Sequence, residues 1–175
     1  MISQRQIFLH GPLGQRQTKE VIGSQLVGLI LQPQPLWLVS PWISDFVVLD
    51  NRGGHWDAVE PSWGQRIVGW EEVLACAINQ GTSLMLVTRD EPRNRNFVDR
   101  LKHRLHPGVD FRCLFADEVH SKGMLCKSFF LKGSMNFTYS GANINDEHLV
   151  LSNDPQIISE ALIELEEQYQ FRELE

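Results

Sequence analysis

The polar residues between positions 120 and 147 are of types that can attack and hold a phosphate group. His120 and Lys122 stand two positions apart, a Gly-Ser-x-Asn sequence runs from Gly133 to Asn136, and Glu147 follows eleven residues later. An imidazole can attack phosphorus or transfer a proton, whereas hydroxyl, amide and ammonium groups can hold phosphate oxygens. Together these residue types indicate phosphate chemistry, which requires that the fold bring them to one place.

Strand geometry would bring several of these groups onto common faces. Two residues that are two positions apart on an extended strand share a face, so we expect His120 and Lys122 to point the same way. Core packing explains this pair poorly, since lysine is almost never fully buried without a partner. A glycine at 133 would let the backbone approach an anion closely, and Ser134 adds a hydroxyl and a backbone N–H. If the strands are neighbours, the carboxylate of Glu147 can meet the imidazole and fix its tautomer.

Strands and helices alternate along the chain, and this order predicts an α/β fold with a mixed sheet flanked by helices. Helices are predicted at 18–31, 70–81, 94–105 and from Pro155 onward, and strands at 35–43, 82–88, 109–115, 119–126, 128–134 and 147–152. Thr18 is the expected first cap, Gly81 the expected end of the second helix, and Asp154 the expected cap of the last. The segment 46–50 fits a strand or a helical turn equally well.

We expect one domain over residues 1–175, with a long loop at 51–69. This segment is rich in glycine and aromatic residues and has no clean period. Such a long loop is uncommon in a compact domain and suggests a function. Trp56, Trp63 and Trp70 recur every seven residues. They could pack a loop lid, form a dimer contact or stack on nucleic-acid bases.

Charge is distributed unevenly along the chain. The net charge is −6, but the segment from Arg89 to Lys132 holds ten Lys/Arg and only six Asp/Glu. This basic segment could attract a polyanion, although a solvated helix surface would look the same. No apolar run is long enough to span a membrane, and the first residues lack the apolar core of a signal peptide. The three cysteines have no zinc-site or disulfide spacing, so we predict a cytoplasmic protein with buried thiols.

The combination of His120-x-Lys122, Gly133-Ser134-x-Asn136 and Glu147 resembles the signature of the phospholipase D superfamily. The order of elements is similar to that family over roughly residues 36–171. The chain is most similar to the single-motif members linked to bacterial DNA restriction, the DpdK-like proteins associated with deazapurine-modified DNA. One position departs from the pattern, because Lys127 stands where the family commonly places an aspartate.

This resemblance implies a phosphodiesterase that needs neither a metal nor a cofactor. His120 would form a phosphohistidine, Lys122 and Asn136 would hold the nonbridging oxygens with help from Ser134, and Glu147 would orient the imidazole. A second imidazole must protonate the leaving oxygen from the far side of the phosphorus. The chain has a single His-x-Lys, so a second copy in a homodimer would have to supply that imidazole.

Three functions remain open from the sequence. The first is a DNA endonuclease of a bacterial restriction or defence system. The second is a catalytically inactive subunit that gives a phosphate- or DNA-binding scaffold to other proteins of a restriction complex, which the net negative charge and Lys127 favour. The third, phospholipid hydrolysis, has little support because no interfacial apolar surface is visible and no membrane partner is expected. His148, beside Glu147, would point to the opposite face, where a structural role is the simpler interpretation.

Overall fold

The computed structural model describes residues 3–170 of the chain. The strands are β1 (Gln4–Leu9), β2 (Leu36–Val39), β3 (Val47–Asp50), β4 (Ile67–Gly69), β5 (Leu84–Thr88), β6 (Phe111–Phe115), β7 (Gly123–Leu125), β8 (Phe130–Gly133) and β9 (Glu147–Ser152). The helices are α1 (Gly11–Leu31), α2 (Trp70–Asn79), α3 (Pro92–Arg104), α4 (Tyr139–Asn143) and α5 (Pro155–Gln168).

Seven strands form one mixed sheet in the order β1-β9-β8-β7-β2-β5-β6. The strands β2, β5 and β6 run parallel to one another, as expected for strands joined through the helices α2 and α3. The strands β7, β8, β9 and β1 continue the sheet with antiparallel pairing. The predicted α/β fold with a mixed sheet is therefore confirmed.

Helices cover both faces of this sheet. The larger core packs α1, α2 and α3 against one face, to which Leu38, Met124, Leu131 and Leu149 contribute. A smaller core packs α5 against the other face through Trp37, Val39, Val87 and Leu125. As predicted, α5 starts with Pro155, and the carboxylate of Asp154 accepts a hydrogen bond from the N–H of Gln156. The helix α2 also ends as predicted, before a glycine with positive φ at position 81.

The N-terminal region differs from the prediction. The helix α1 begins at Gly11 rather than at Thr18, with Pro12 in its first turn, a position that suits proline. Thr18 is buried within the helix, and its hydroxyl donates to the carbonyl of Gly14 at 3.1 Å. The predicted cap at Thr18 is therefore wrong. The strand β1, which the sequence did not indicate, pairs with β9 at the edge of the sheet.

The segment predicted as a long loop is partly regular. The strand β4 occupies its end and pairs with β3 in a separate two-stranded ribbon. Asn51 is buried and holds the turn, because its amide donates to Asp57 and to the carbonyl of Gly64. Trp63 and Trp70 are buried in the larger core. These two side chains therefore cannot stack on nucleic-acid bases.

Within residues 3–170, no helix is long and apolar enough to cross a lipid bilayer.

Candidate active site

The three segments that carry the predicted site residues meet at one edge of the sheet. The strand β7 begins at Gly123, next to the end of β8, because Gly123 pairs with Lys132. The strand β9 begins at Glu147, also beside the end of β8, where Gly133 pairs with Leu149. This is also the edge at which the parallel strand β2 ends, since its last residue lies opposite Gly123. Segments separated by up to 27 positions in the sequence are thus neighbours. We call this border of the sheet, where β2 and β8 end and β7 and β9 begin, the site edge.

His120 lies in the segment that leads into β7, outside the strand itself. The predicted strand at 119–126 is shorter, and covers Gly123–Leu125. The side chain of His120 is exposed, and within the described part of the chain its imidazole has no hydrogen-bond partner. Lys122 is half-buried, and its Nζ donates to the backbone carbonyl of His120 at 3.0 Å. The imidazole is therefore free to contact a ligand or a second chain, and the ammonium group is held at the backbone of the same residue.

Ser134 and Glu147 form a hydrogen-bonded unit across β8 and β9. The hydroxyl of Ser134 donates to Oε2 of Glu147 and accepts from the N–H of His148 at 2.9 Å. The N–H of Ser134 donates to the carbonyl of His148, also at 2.9 Å. The other carboxylate oxygen of Glu147 lies 3.4 Å from Nδ2 of Asn145. In this chain the carboxylate therefore holds Ser134, and a contact between Glu147 and the imidazole of His120 is not formed.

Gly133 is required by the packing of the two strands. A Cβ at this position would lie 1.9 Å from the carbonyl oxygen of His148 and 2.9 Å from the carbonyl carbon. Only glycine lets β8 approach β9 this closely. The sequence suggested that this glycine lets the backbone approach an anion, whereas here the close approach is to the backbone of β9.

Asn136 carries a buried polar atom without a partner. Its Oδ1 has no hydrogen bond within the described residues. Such an atom costs about 1–3 kcal/mol unless something satisfies it. A terminal amide can present its oxygen or, after a half-turn, its NH2 group. Asn136 can therefore bind an incoming polar group at the site edge.

The segment after Asn136 is attached to the loop that follows β2. The hydroxyl of Ser40 accepts from the N–H of Phe137 at 3.1 Å, and the hydroxyl of Ser44 accepts from the N–H of Tyr139 at 3.0 Å. Ile43 and Phe137 also form an isolated β-bridge. These contacts fix the position of Asn136, and sequence spacing alone could not have identified the two serines.

Arg89 is a further cation at the site edge that the sequence motifs did not single out. It follows β5 directly, and its Nε donates to the carbonyl of Val119 at 3.3 Å. Its guanidinium lies 5.8 Å from the ring centre of Trp42. Arg89 thereby supports the segment that carries His120. The signal in the sequence was its place immediately after a parallel strand, where ligand-binding residues are common in α/β proteins.

Much of the basic segment is neutralised locally. Arg95 pairs with Asp90, Arg112 pairs with Asp110, and Arg100 and Arg104 both bind the buried carboxylate of Glu71. The positive charge available to a ligand is therefore smaller than the composition suggests.

Lys127 lies far from the site edge. It is exposed in the turn between β7 and β8, which is closed by a hydrogen bond from the N–H of Cys126 to the carbonyl of Phe129. This turn is at the opposite end of β7 from His120. The departure from the family pattern at Lys127 therefore changes a turn rather than the groups at the site edge.

Across the part of the chain that the structure describes, no three His, Cys, Asp or Glu side chains are grouped so that they could hold a metal ion.

Comparison with solved structures shows the same fold in several proteins. NucT from Helicobacter pylori shares 12% identity, with a TM-score of 0.58 over 94% of this chain and 95% of that one. Nuc from Salmonella typhimurium, a phospholipase D family member, shares 14% identity, with a TM-score of 0.59 over 95% and 93%. Polyphosphate kinase from Porphyromonas gingivalis shares 13% identity, with a TM-score of 0.65 over 98% of this chain and 27% of that one.

Sequence comparison identifies the family. No curated protein matches this chain. The family model described as "Cardiolipin synthase, PLD-like domain" matches residues 68–169, more than half of the chain, including every residue of the site edge motif from His120 to Glu147. The chain therefore belongs to the phospholipase D-like family.

Proposed function

We propose that this protein is a phosphodiesterase that cleaves DNA through a phosphohistidine, without a metal ion, at the interface of a homodimer. One observation carries the proposal: the site edge brings together the segments of His120, Lys122, Ser134 and Asn136. The imidazole of His120 is exposed there and has no hydrogen-bond partner among residues 3–170. Its membership of the phospholipase D-like family supports the reaction type.

The first chemical step uses His120 as the nucleophile. A ring nitrogen forms a bond to phosphorus while the bond to the leaving oxygen breaks, and a second imidazole donates a proton to that oxygen. Water then gives a proton to the second imidazole, its oxygen bonds to phosphorus, and the phosphorus–nitrogen bond breaks. Because attack and departure are in line, one imidazole cannot perform both tasks.

Lys122 and Asn136 stabilise the charge that builds on the nonbridging oxygens. Lys122 lies in the segment that carries His120, and Asn136 follows the end of the adjoining strand β8. The loss of one such contact typically costs about 10²–10³ in rate. Ser134 is held by Glu147 and presents its hydroxyl at the same edge. In the proposed complex Glu147 also orients an imidazole, either after its hydrogen bond to Ser134 rearranges or by contact with a ring supplied by the second chain.

The second imidazole comes from His120 of another copy of the chain. A two-fold axis at the site edge would place the same residue of both chains on either side of one phosphorus. Exposed apolar side chains surround this edge and are suited to such an interface. They are Phe8 on β1, Leu13 in the first turn of α1, Tyr139 on α4 and Ile144 after α4, each more than half exposed.

DNA is the proposed substrate, and restriction or defence is the proposed setting. The cations near this edge that form no salt bridge within the described residues include Lys122 and Lys132, and Arg89 binds the backbone of Val119 in the segment that carries His120. The proposed setting rests on the resemblance to DpdK-like proteins that the sequence suggests. Other proteins of a restriction complex are the further partners that this setting implies.

The test is plasmid nicking in EDTA by the wild-type protein and by His120→Ala, with His103→Ala as the matched control. His103 is exposed in the last turn of α3, which lies toward the other end of the sheet. We expect nicking by the wild type and by the control, and none by His120→Ala. Nicking that persists in His120→Ala would exclude this histidine as the nucleophile.

Mixed dimers test the shared site. Wild-type and His120→Ala chains are unfolded and refolded together at several ratios. If both copies of His120 serve one phosphorus, the rate should fall as the square of the wild-type fraction. A linear fall, or a strict monomer by light scattering at micromolar concentration, would contradict the shared site.

A catalytically inactive scaffold is the second candidate. It is favoured by the contact of Glu147 with Ser134 in place of an imidazole. It predicts DNA binding without cleavage of any DNA, modified or not, together with tight binding to partner proteins.

A further inference from the structure

A cavity of about 470 Å³ lies between the sheet and α5, on the face opposite to α1, α2 and α3. Cavities of this size commonly hold small molecules. Its walls are mainly apolar. They include Val39, Leu125, Phe130, Val150, Ala161 and Leu165.

The cavity reaches the site edge. The motif residues Lys122 and Gly133 line it, together with Ser121, which lies between His120 and Lys122. The helix α5 begins after β9 at the far edge of the sheet and runs back, so its last turns, with Glu164 and Gln168, close this end of the cavity. A ligand in the cavity could therefore keep a phosphate group beside Lys122.

One wall carries a buried nitrogen that lacks a partner. His148 lines the cavity, and its Nε2 is buried without a hydrogen bond within the described residues. The ring stacks on Phe8, with centroids 4.8 Å apart and an interplanar angle of 24°, which fixes its plane. An unpaired buried nitrogen is costly, and a ligand with a polar edge would remove that cost. Gln168, Glu164 and Lys132 add donors and acceptors to the lining.

We propose that this cavity binds a nucleobase of the substrate, next to the phosphate that is cleaved. A nucleobase has apolar faces that suit the walls and a polar edge that can pair with His148 and Gln168. Its phosphate would lie at Lys122, which belongs both to the cavity and to the site edge. The inference rests on the proposed function for the phosphate, while the apolar part of the cavity extends from the motif residues to the space under α5.

A preference for unpaired DNA follows. A base stacked and paired within a duplex cannot enter a cavity beneath a helix, so the base must be single-stranded or turned out of the helix. Turning a base out costs a few kcal/mol, least where pairing is already weak. We expect cleavage of single-stranded or mismatched DNA to be faster than cleavage of paired DNA.

The test compares two small phosphates that differ only in the base. The probes are 2-aminopurine deoxyriboside 5′-monophosphate and deoxyribose 5-phosphate, and binding to the full chain is measured by calorimetry in EDTA. We expect the nucleotide to bind at least 10-fold more tightly than the sugar phosphate. Ala161→Phe, which fills the cavity from α5, should abolish this preference. Ile163→Phe, on the exposed face of the same helix, should retain it.

The outcomes separate the cavity from the catalytic proposal. Equal binding of the two probes by the wild type would overturn the nucleobase site, even if plasmid nicking depends on His120. A base preference that Ala161→Phe leaves intact, in a variant shown by circular dichroism to be folded, would also overturn it. A base preference that is lost only in Ala161→Phe, in a protein that does not nick DNA, would support the nucleobase site and reject the endonuclease.

Discussion

Replacement of Gly133 by alanine should both loosen the sheet and disturb the site edge. The added Cβ would lie 1.9 Å from the carbonyl oxygen of His148, and real Cβ atoms essentially never come within 3.0 Å of such an atom. The difference between these distances means that β8 and β9 must separate locally by about 1.1 Å. The hydrogen bond of 2.9 Å from Ser134 N–H to the same carbonyl would then be broken or strained.

The stability cost follows from these contacts. Forcing a methyl group into a packed position costs about 1–3 kcal/mol, and the loss of one backbone hydrogen bond adds about 1 kcal/mol. Restricting the unfolded chain returns about 0.4–1 kcal/mol. We therefore expect Gly133→Ala to lower the free energy of unfolding by about 2 kcal/mol. For a domain of this length that corresponds to a fall in Tm of about 4–8 °C.

Gly133→Ala should also lower the rate of plasmid nicking. The same separation moves Ser134 and Asn136 relative to Glu147 and the segment of His120. A misplacement of about 1 Å can cost about 10² in rate, so plasmid nicking should fall by about that factor below the melting range. Thermal unfolding by circular dichroism and the nicking assay check the two effects separately.

Gly28→Ala is the matched control. Gly28 is exposed within α1, and a Cβ there would meet no atom outside its own helix within 4 Å. This change should raise stability by about 0.5–1 kcal/mol, because alanine favours a helix interior, and should leave nicking unchanged. An unchanged Tm for Gly133→Ala would refute the packing argument. A lower Tm with an unchanged nicking rate would refute the link from this strand pair to the site.

Glu71→Gln should lower the free energy of unfolding by about 1.5–3 kcal/mol, since the buried carboxylate of Glu71 binds both Arg100 and Arg104. The midpoint of urea unfolding measures this loss, and an unchanged midpoint would show that these two salt bridges contribute little to stability. Burial raises the pKa of Cys113 to about 12 and that of Cys76 to about 11, with Glu60 adding to the latter. Because the thiolate is the reactive form, both thiols should react with Ellman's reagent at pH 8 far more slowly in the folded protein than in urea. Rapid labelling of either cysteine without denaturant would count against their burial.

Some of the structure could be read from local patterns. The helices α2, α3 and α5 have strong apolar periodicity and clear end signals, such as Asp154 before Pro155, so their positions were predicted within a few residues. The motif residues were also identified from type and spacing. The helix α1 was predicted seven residues too short, since its first turns carry few apolar residues. Gly14 in these turns packs closely against the carbonyl of Phe8, a contact that apolar periodicity does not reveal.

The sequence by itself determined which groups are available for phosphate chemistry, because residue type and local spacing are properties of short segments. Only the tertiary structure decided their arrangement. Strand order is set by pairing between distant segments, and it brought the start of β7, the end of β8 and the start of β9 to one edge. The same pairing directed Glu147 to Ser134, placed Lys127 at the far end of β7, and enclosed His148 beside a cavity under α5. These outcomes depend on contacts across the sheet, which no single segment encodes.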